Sequence, residues 1–133
     1  MRAVIDTRFF ILHFLANENT KGRSKRILYD LQHEGNEGFV PTIVIHELYK
    51  FEYQTLGKEV AELRVNAVLK SKLEIIELTS SIAIAAGQLR CQYAELPTAD
   101  AIVAASTLET ASDYIVTDDA HLKQIKEIRT KWI

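Results

Sequence analysis

The chain has 133 residues, of which 47% are hydrophobic and 26% charged, and its formal net charge is −2 at pH 7. This length favours one domain with its own core, and no apolar run approaches the roughly 20 residues that span a bilayer. The single cysteine, Cys91, excludes an intrachain disulfide and a zinc site built on paired cysteines. We expect one domain over residues 1–133, a cytoplasmic location, no membrane segment, and Cys91 as a small buried side chain.

Short apolar segments alternate along the chain with longer segments that carry apolar residues at helical spacing. This alternation favours an α/β fold with a mostly parallel central sheet. The predicted strands are Arg2–Ile5, 39–40, 73–78, Tyr114–Val116 and an edge strand within 128–133. The predicted helices are 7–16, 21–35, 42–57, 60–71, 79–93, 97–109 and 121–125, and residues 17–20 are predicted to form a polar turn.

Several acidic residues lie within or directly after apolar segments, where an unpaired carboxylate is costly to bury. Asp6 follows the first predicted strand, and Asp118 and Asp119 follow the fourth. Ligands bind beyond the carboxyl ends of the strands of such a sheet, so we expect these acids at one edge. Glu47 and Asp100 lie near the starts of two apolar helices. A divalent cation is the simplest agent that would gather these carboxylates.

Oxygen ligands suit hard cations, which makes Mg²⁺ or Mn²⁺ the expected ion. A group of three or four carboxylates holds one or two such ions for in-line displacement at phosphorus, and this chemistry needs no serine or cysteine nucleophile. Two other motifs are excluded. His46 and Glu47 begin a zinc-protease motif, but Lys50 stands where its second histidine belongs, and no phosphate-binding glycine loop is present.

Each acid, taken alone, also has a structural explanation. Asp6 could cap a helix, and Glu47 could occupy a solvent-facing helix position. Asp100 could lie in the first turn of a helix, where a carboxylate interacts favourably with the helix dipole. Asp118 and Asp119 also suit a turn after a strand. The metal hypothesis therefore depends on all of these acids converging in space.

Two groups of basic residues counter the slightly acidic balance. Each alone is typical of a solvated helix face, but beside a metal site they suit a phosphate backbone. Three aromatic residues of one predicted helix suit either base stacking or packing in the core or a dimer interface. The basic groups are Lys21, Arg23, Lys25 and Arg26, and Lys123, Lys126, Arg129 and Lys131; the aromatic residues are Tyr49, Phe51 and Tyr53.

The order of these motifs resembles the PIN domain family, and within it the VapC toxins of prokaryotic toxin–antitoxin pairs. The resemblance covers the whole chain, and its most specific part is the segment around Asp100. The matching segments are Val4-Ile5-Asp6-Thr7, the helical Glu47, Leu96-Pro97-Thr98-Ala99-Asp100-Ala101-Ile102-Val103-Ala104-Ala105, and Ile115-Val116-Thr117-Asp118-Asp119.

The resemblance implies a three-layer α/β/α fold and a Mg²⁺- or Mn²⁺-dependent endoribonuclease with an RNA substrate, a small antitoxin partner and frequent homodimers. It carries the first three acids of the family onto Asp6, Glu47 and Asp100. The family's Thr-x-Asp pattern implies that Asp119 is the fourth acid and that Thr117 orients the site. Asp118 occupies the variable position between them and stays an alternative fourth ligand.

One position departs from the family, because Arg8 stands where Ser or Asn is frequent. If Arg8 points into the site, it holds a phosphate or weakens metal binding by repulsion; otherwise it turns away. Two alternatives to a toxin are a housekeeping PIN nuclease that matures ribosomal RNA and a non-catalytic RNA- or protein-binding module. An unrelated α/β domain with coincidental acids is the third, since fold alone does not fix function.

Overall fold

A five-stranded, fully parallel sheet lies at the centre of the molecule. The computed structural model describes all residues 1–133. Its strands are β1 (Arg2–Ile5), β2 (Glu37–Pro41), β3 (Glu74–Ile76), β4 (Tyr114–Val116) and β5 (Thr130–Lys131). Its helices are α1 (Thr7–Leu15), α2 (Glu18–Leu31), α3 (Thr42–Leu56), α4 (Lys58–Leu69), α5 (Ser80–Gln92), α6 (Thr98–Glu109) and α7 (Ala120–Lys123). The predicted α/β class and parallel sheet are confirmed.

The strand order β3-β2-β1-β4-β5 creates a change of direction beside β1. The chain moves outward from β1 to β3, then returns across the sheet to β4 and continues to β5. Crossovers between parallel strands are right-handed, so the connections in the two directions lie on opposite faces. Helices α1 to α4 therefore cover one face, and α5 to α7 cover the other. The three layers of the predicted fold follow from this topology.

The core is centred on the inner strands and on α6. Ala3, Val4 and Ile5 of β1 are fully buried, as are Ala101 and Ala104 of α6. Small side chains along α6 let it pack closely on the sheet, and it contacts β1, β2 and β4. The buried hydroxyls of this helix bond to its own backbone, so their burial leaves no unsatisfied donor.

Three local predictions were wrong. Helix α2 begins at Glu18 rather than after a turn, because the Asn17 side chain accepts a hydrogen bond from the Thr20 amide at 3.1 Å and caps the helix. Strand β3 covers only Glu74–Ile76 rather than 73–78, whereas the edge strand predicted within 128–133 is confirmed as β5. Cys91 lies on the exposed face of α5 rather than in the core. No helix of the fold combines the length and the apolarity that a bilayer crossing requires.

Candidate active site

The candidate site lies at the carboxyl edge of the sheet, where β1 and β4 run side by side. Ile5, the last residue of β1, is paired with Val116, the last residue of β4. Asp6 follows the first of these strands directly, and Thr117 follows the second. The order in which the strands are added reverses between β1 and β4. Open α/β sheets bind their ligands at such a switch point.

Asp6 is held rigidly at the bottom of the site. Its side chain is 3% exposed, and each carboxylate oxygen accepts a hydrogen bond at 2.8 Å. Oδ1 accepts from the Thr7 amide, which caps α1, and Oδ2 accepts from the Thr117 hydroxyl. Asp6 therefore caps α1, as predicted, and also lies in the acidic site.

Thr117 links the two strand ends. Its fully buried hydroxyl donates to Asp6 and accepts from the Asp119 amide at 3.1 Å. This pair of bonds sets the position of Asp119 relative to Asp6. Because the hydroxyl has a single proton, its donation to Asp6 leaves its oxygen free to accept from the amide.

Glu47 joins the site from α3, on the second turn of that helix. Its Oε1 accepts a hydrogen bond of 2.8 Å from the Thr7 hydroxyl. Thr7 therefore bridges Asp6, through its amide, and Glu47, through its side chain. Apart from the position of Thr7 directly after Asp6, no sequence pattern indicates this role.

Asp100 and Asp119 approach each other around His121. The Nδ1 atom of His121 lies 3.3 Å from Asp119 Oδ1 and 3.7 Å from Asp100 Oδ2. One potential ligand atom from each of the three residues lies within 4.8 Å of the others. His121 is exposed, and its ring lies against both carboxylates. Asp119 in turn accepts a bond of 2.8 Å from the His121 amide.

Asp118 is turned away from the other acids and forms an ion pair with Arg8 at the rim of the site. The hydrogen bond from Arg8 lowers the pKa of Asp118 below its usual value, and the same bond raises the pKa of Arg8. Arg8 therefore neither enters the site nor points fully away from it. Of the two acids that compete for the fourth position, Asp119 is the one beside Asp100.

Burial and mutual repulsion make the group costly to ionise. Burial, the largest cause, raises the pKa of Asp6 from 3.8 to about 6, and Glu47 and Asp119 add to the shift against the hydrogen bonds from Thr117 and Thr7. Burial likewise raises the pKa of Asp100 to about 7, followed by the charges of Asp119, Asp6 and Glu47. Since the charges of Glu47 and Asp119 act on both Asp6 and Asp100, these acids share one electrostatic environment.

The donor set fits a divalent cation. Asp6, Glu47, Asp100 and Asp119 supply carboxylate oxygens, the preferred ligands of Mg²⁺ and Mn²⁺, and His121 adds a nitrogen that Mn²⁺ tolerates better than Mg²⁺. No lysine or arginine pairs with any of these four acids. A cation bound among them would stabilise the ionised carboxylates against the burial and the repulsion that raise the pKa values of Asp6 and Asp100.

We expect the metal-free protein to lose thermal stability as pH rises. The folded-state pKa values of Asp6 and Asp100 exceed the ordinary value, so the folded state favours their protonated forms. Their stabilising contribution is complete below about pH 4 and is lost as pH rises through about 6 to 7. Mn²⁺ binds the ionised forms, so it should raise Tm more at about pH 7.5 than at about pH 5.

Melting curves in EDTA and in Mn²⁺ at the two pH values measure this effect. The Asp100→Asn variant is the control, because it removes one of the two titrating groups and should show a smaller fall of Tm with pH. An identical Tm with and without Mn²⁺ at the higher pH would contradict a formed metal site.

An open cavity of about 490 Å³ adjoins the acids along α3. Glu47 and Thr7 line one end, and His46 and Lys50 supply basic groups along its side. Phe51 lines this cavity and also a second cavity of about 420 Å³. Arg8 and Trp132 line the second cavity. The acids therefore lie beside a groove with cationic and apolar groups.

The fold and the site together define a class of protein: a three-layer α/β/α domain with an acidic cluster at its topological switch point. A family model described as "PIN domain" matches residues 3–128 of the chain. The chain therefore belongs to the PIN domain family. No curated protein sequence matches the chain.

Solved structures share the fold over nearly the whole chain. VapBC2 from Rickettsia felis, bound to a DNA fragment from its promoter, has a TM-score of 0.81 and 18% identity over 99% of this chain and 98% of that chain. VapBC-1 from nontypeable Haemophilus influenzae gives 0.76 and 15% over 98% and 97%. The Mycobacterium tuberculosis VapC20, a sarcin–ricin loop cleaving toxin, gives 0.73 and 15% over 92% and 93%.

Proposed function

We propose that this protein is a Mg²⁺- or Mn²⁺-dependent endoribonuclease and the toxin of a toxin–antitoxin pair. The observation that carries the proposal is the convergence of Asp6, Glu47, Asp100 and Asp119 from four separate elements. Thr7 connects the carboxylates of Asp6 and Glu47, and Thr117 connects Asp6 to the Asp119 amide. The charges of Asp119, Asp6 and Glu47 act on Asp100. A purely structural cluster gains nothing from this repulsion.

The four carboxylates would hold the cation, and Thr7, Thr117 and the His121 amide would keep three of them in position. A bound divalent cation would supply positive charge to the scissile phosphate and make an attacking water more acidic. In the reaction, the water oxygen forms a bond to phosphorus and the bond from phosphorus to the leaving ribose oxygen breaks. One proton of the attacking water passes to a carboxylate of the site, and the leaving ribose oxygen takes up a proton from solvent.

Substrate binding would use the groove beside the acids. Arg8 at the rim and Lys50 in the cavity would contact the phosphates that flank the scissile bond. Arg8 is suited to this task, because a guanidinium that already pairs with Asp118 can exchange one oxyanion for another. Phe51, which lines both cavities, offers an apolar surface to a base.

The toxin assignment and its partners rest on the structural neighbours. Two of them are VapBC assemblies, and VapC20 is a toxin that cleaves the sarcin–ricin loop. By this likeness we propose a cytoplasmic protein with an RNA substrate, a small antitoxin partner and a homodimeric assembly. Tyr49 and Tyr53, whose rings lie 5.9 Å apart on α3, would belong to such an interface between copies.

Digestion of total RNA by the purified protein tests the proposal. Wild type should cut RNA in Mn²⁺ or Mg²⁺, should stop in EDTA, and should leave single-stranded DNA intact. Asp119→Asn should lose nearly all cleavage, whereas Asp118→Asn should keep most of it, because Asp118 contacts Arg8 rather than the other acids. Mapping of the cut ends would then give the position of cleavage.

Cleavage that persists in EDTA would contradict the metal requirement. Equal losses in the Asp118 and Asp119 variants would contradict the assignment of the fourth acid. An intact RNA pool under all conditions, with a protein shown to be folded by circular dichroism, would favour the non-catalytic binding module.

A further inference from the structure

A third cavity, of about 460 Å³, lies between the carboxyl-terminal half of α2 and the connection from α4 to β3. Its lining carries an unusual number of basic groups for a chain of net charge −2. No Asp or Glu lines it. The residues that matter here are Lys25, Lys70, Lys72, His13, His33 and Tyr29.

This basic cavity lies at the amino edge of the sheet, opposite the acids. Lys72 lies just before β3, and His33 lies between α2 and β2, so both come before the amino ends of strands. Asp6 and Thr117 follow the carboxyl ends of β1 and β4. A four-residue strand is roughly 13 Å long. The acidic site and the basic cavity therefore lie at opposite ends of strands of about this length.

The lysines of the basic cavity have no anionic partner. Arg2, Arg8 and Arg64 all pair with carboxylates elsewhere in the fold, but Lys25, Lys70 and Lys72 form no ion pair. Lys25 also acts on His13, whose pKa is lowered first by burial and then by the charges of Lys21 and Lys25. Convergent positive charge without compensation is the electrostatic footprint of a site for a polyanion.

The walls of the cavity are fixed before any ligand arrives. The Gln32 side chain donates to the Leu28 carbonyl and accepts from the Lys72 amide, each at 2.9 Å, and so ties α2 to the loop before β3. The rings of Tyr29 and His33 are stacked with centroids 3.6 Å apart. Tyr29 is 60% exposed, so the stack presents an aromatic surface beside the lysines.

We propose that this basic cavity binds the backbone phosphates of single-stranded RNA, as a contact remote from the acidic site. Three unpaired lysines supply the charge, and the exposed ring of Tyr29 supplies a stacking surface that unpaired bases can reach. The binding needs no divalent cation. It rests on the proposed function only for the identity of the nucleic acid, since the charge and the aromatic surface are independent of cleavage.

Fluorescence anisotropy with a labelled single-stranded RNA of about 20 nucleotides, in EDTA, tests this proposal. The variant Lys25→Gln/Lys72→Gln removes two charges from the basic cavity. Lys58→Gln/Arg90→Gln removes two charges outside the acidic site, the basic cavity and the two basic groups of the sequence, and is its matched control. We expect Kd to rise about tenfold in the first variant and much less in the second, with the salt slope reduced by about 0.7 for each lost phosphate contact.

Equal weakening in the two double variants would overturn the proposal, because it would show only a general effect of net charge. Unchanged RNA binding in the first variant would also overturn it. A parallel titration with ATP separates RNA from a small polyphosphate: if ATP binding alone depends on Lys25 and Lys72, the assigned ligand is wrong.

The outcomes separate this inference from the proposed function. RNA that binds through the basic cavity but is never cut, even in Mn²⁺, would leave the inference standing and remove the nuclease. If RNA is cut in Mn²⁺ but its affinity for the protein does not depend on Lys25 and Lys72, the nuclease proposal stands and this inference is wrong.

Discussion

Replacement of Asp100 by Asn is expected to lower metal-dependent RNA cleavage by more than about 100-fold, since even partners one step removed from a metal commonly cost 10–100-fold. The carboxylate of Asp100 lies beside Asp119 and His121, where the neighbouring charges act on it. An amide of the same shape cannot supply a negatively charged ligand. The rate of RNA cleavage in saturating Mn²⁺ is the measurement.

The same substitution should leave the fold intact and raise the stability of the metal-free protein at neutral pH. Burial and three like charges oppose ionisation of Asp100, and Asn removes that charge. A structural role for Asp100 would produce the opposite change in stability. The combination of lost cleavage and raised Tm therefore distinguishes a ligand from a packing residue.

Asp113→Asn is the matched control for this experiment. Asp113 is an exposed residue at the amino end of β4, and its carboxylate accepts a hydrogen bond of 2.8 Å from the Arg2 amide, which Asn can also provide. We expect wild-type cleavage from this variant. Full Mn²⁺-dependent cleavage by Asp100→Asn would exclude the proposed role of Asp100.

Replacement of Arg64 by Met is expected to destabilise the protein by about 3–5 kcal/mol, the usual cost of leaving one charge of a buried pair alone. Glu52 on α3 is fully buried, and its Oε2 accepts a hydrogen bond of 2.7 Å from Arg64 on α4. Its Oε1 has no hydrogen-bond partner within the protein. Arg64 is thus the only group that compensates this carboxylate.

Arg64 also holds three helices together. Its guanidinium lies 5.2 Å from the ring centroid of Phe14 on α1, while it binds Glu52 between α3 and α4. Glu47 lies on α3 five residues before Glu52, so a loosened α3 should also disturb the candidate site. Urea unfolding with a two-state fit measures the change in free energy.

Lys58→Met provides the control on the same helix. Lys58 pairs with Glu62 at 3.8 Å on an exposed face, and such pairs contribute only about 0.3–0.5 kcal/mol. The double variant Glu52→Leu/Arg64→Met should recover most of the lost stability, because it removes both buried charges. An Arg64→Met protein as stable as Lys58→Met would contradict the importance of this pair.

Much of the site could be predicted from residues next to strand ends. Asp6 and Asp119 follow apolar segments, and the carboxyl ends of parallel strands meet, so their shared edge follows from periodicity alone. The small apolar residues around Asp100 predict a buried helix, and a carboxylate in a buried helix suggests a functional role. The PIN resemblance then supplied the choice of Asp119 and the position of Thr117, neither of which periodicity could give.

Contacts that depend on side-chain direction could not be predicted. Thr7 bridges Asp6 and Glu47 only because α1 and α3 begin at the same edge, and their packing is a property of the whole fold. The pairing of Arg8 with Asp118 joins residues 110 positions apart, and no local pattern reports it. Burial of Glu52 beside Arg64 likewise contradicts the usual exposure of helix carboxylates.

The bond between Asp6 and Thr117 spans 111 positions of the chain. A nascent chain that stops before Asp100 therefore lacks two of the four acids, and one that stops before Thr117 lacks the hydroxyl that holds Asp6. Any cleavage by the acidic site should begin only after this last contact has formed.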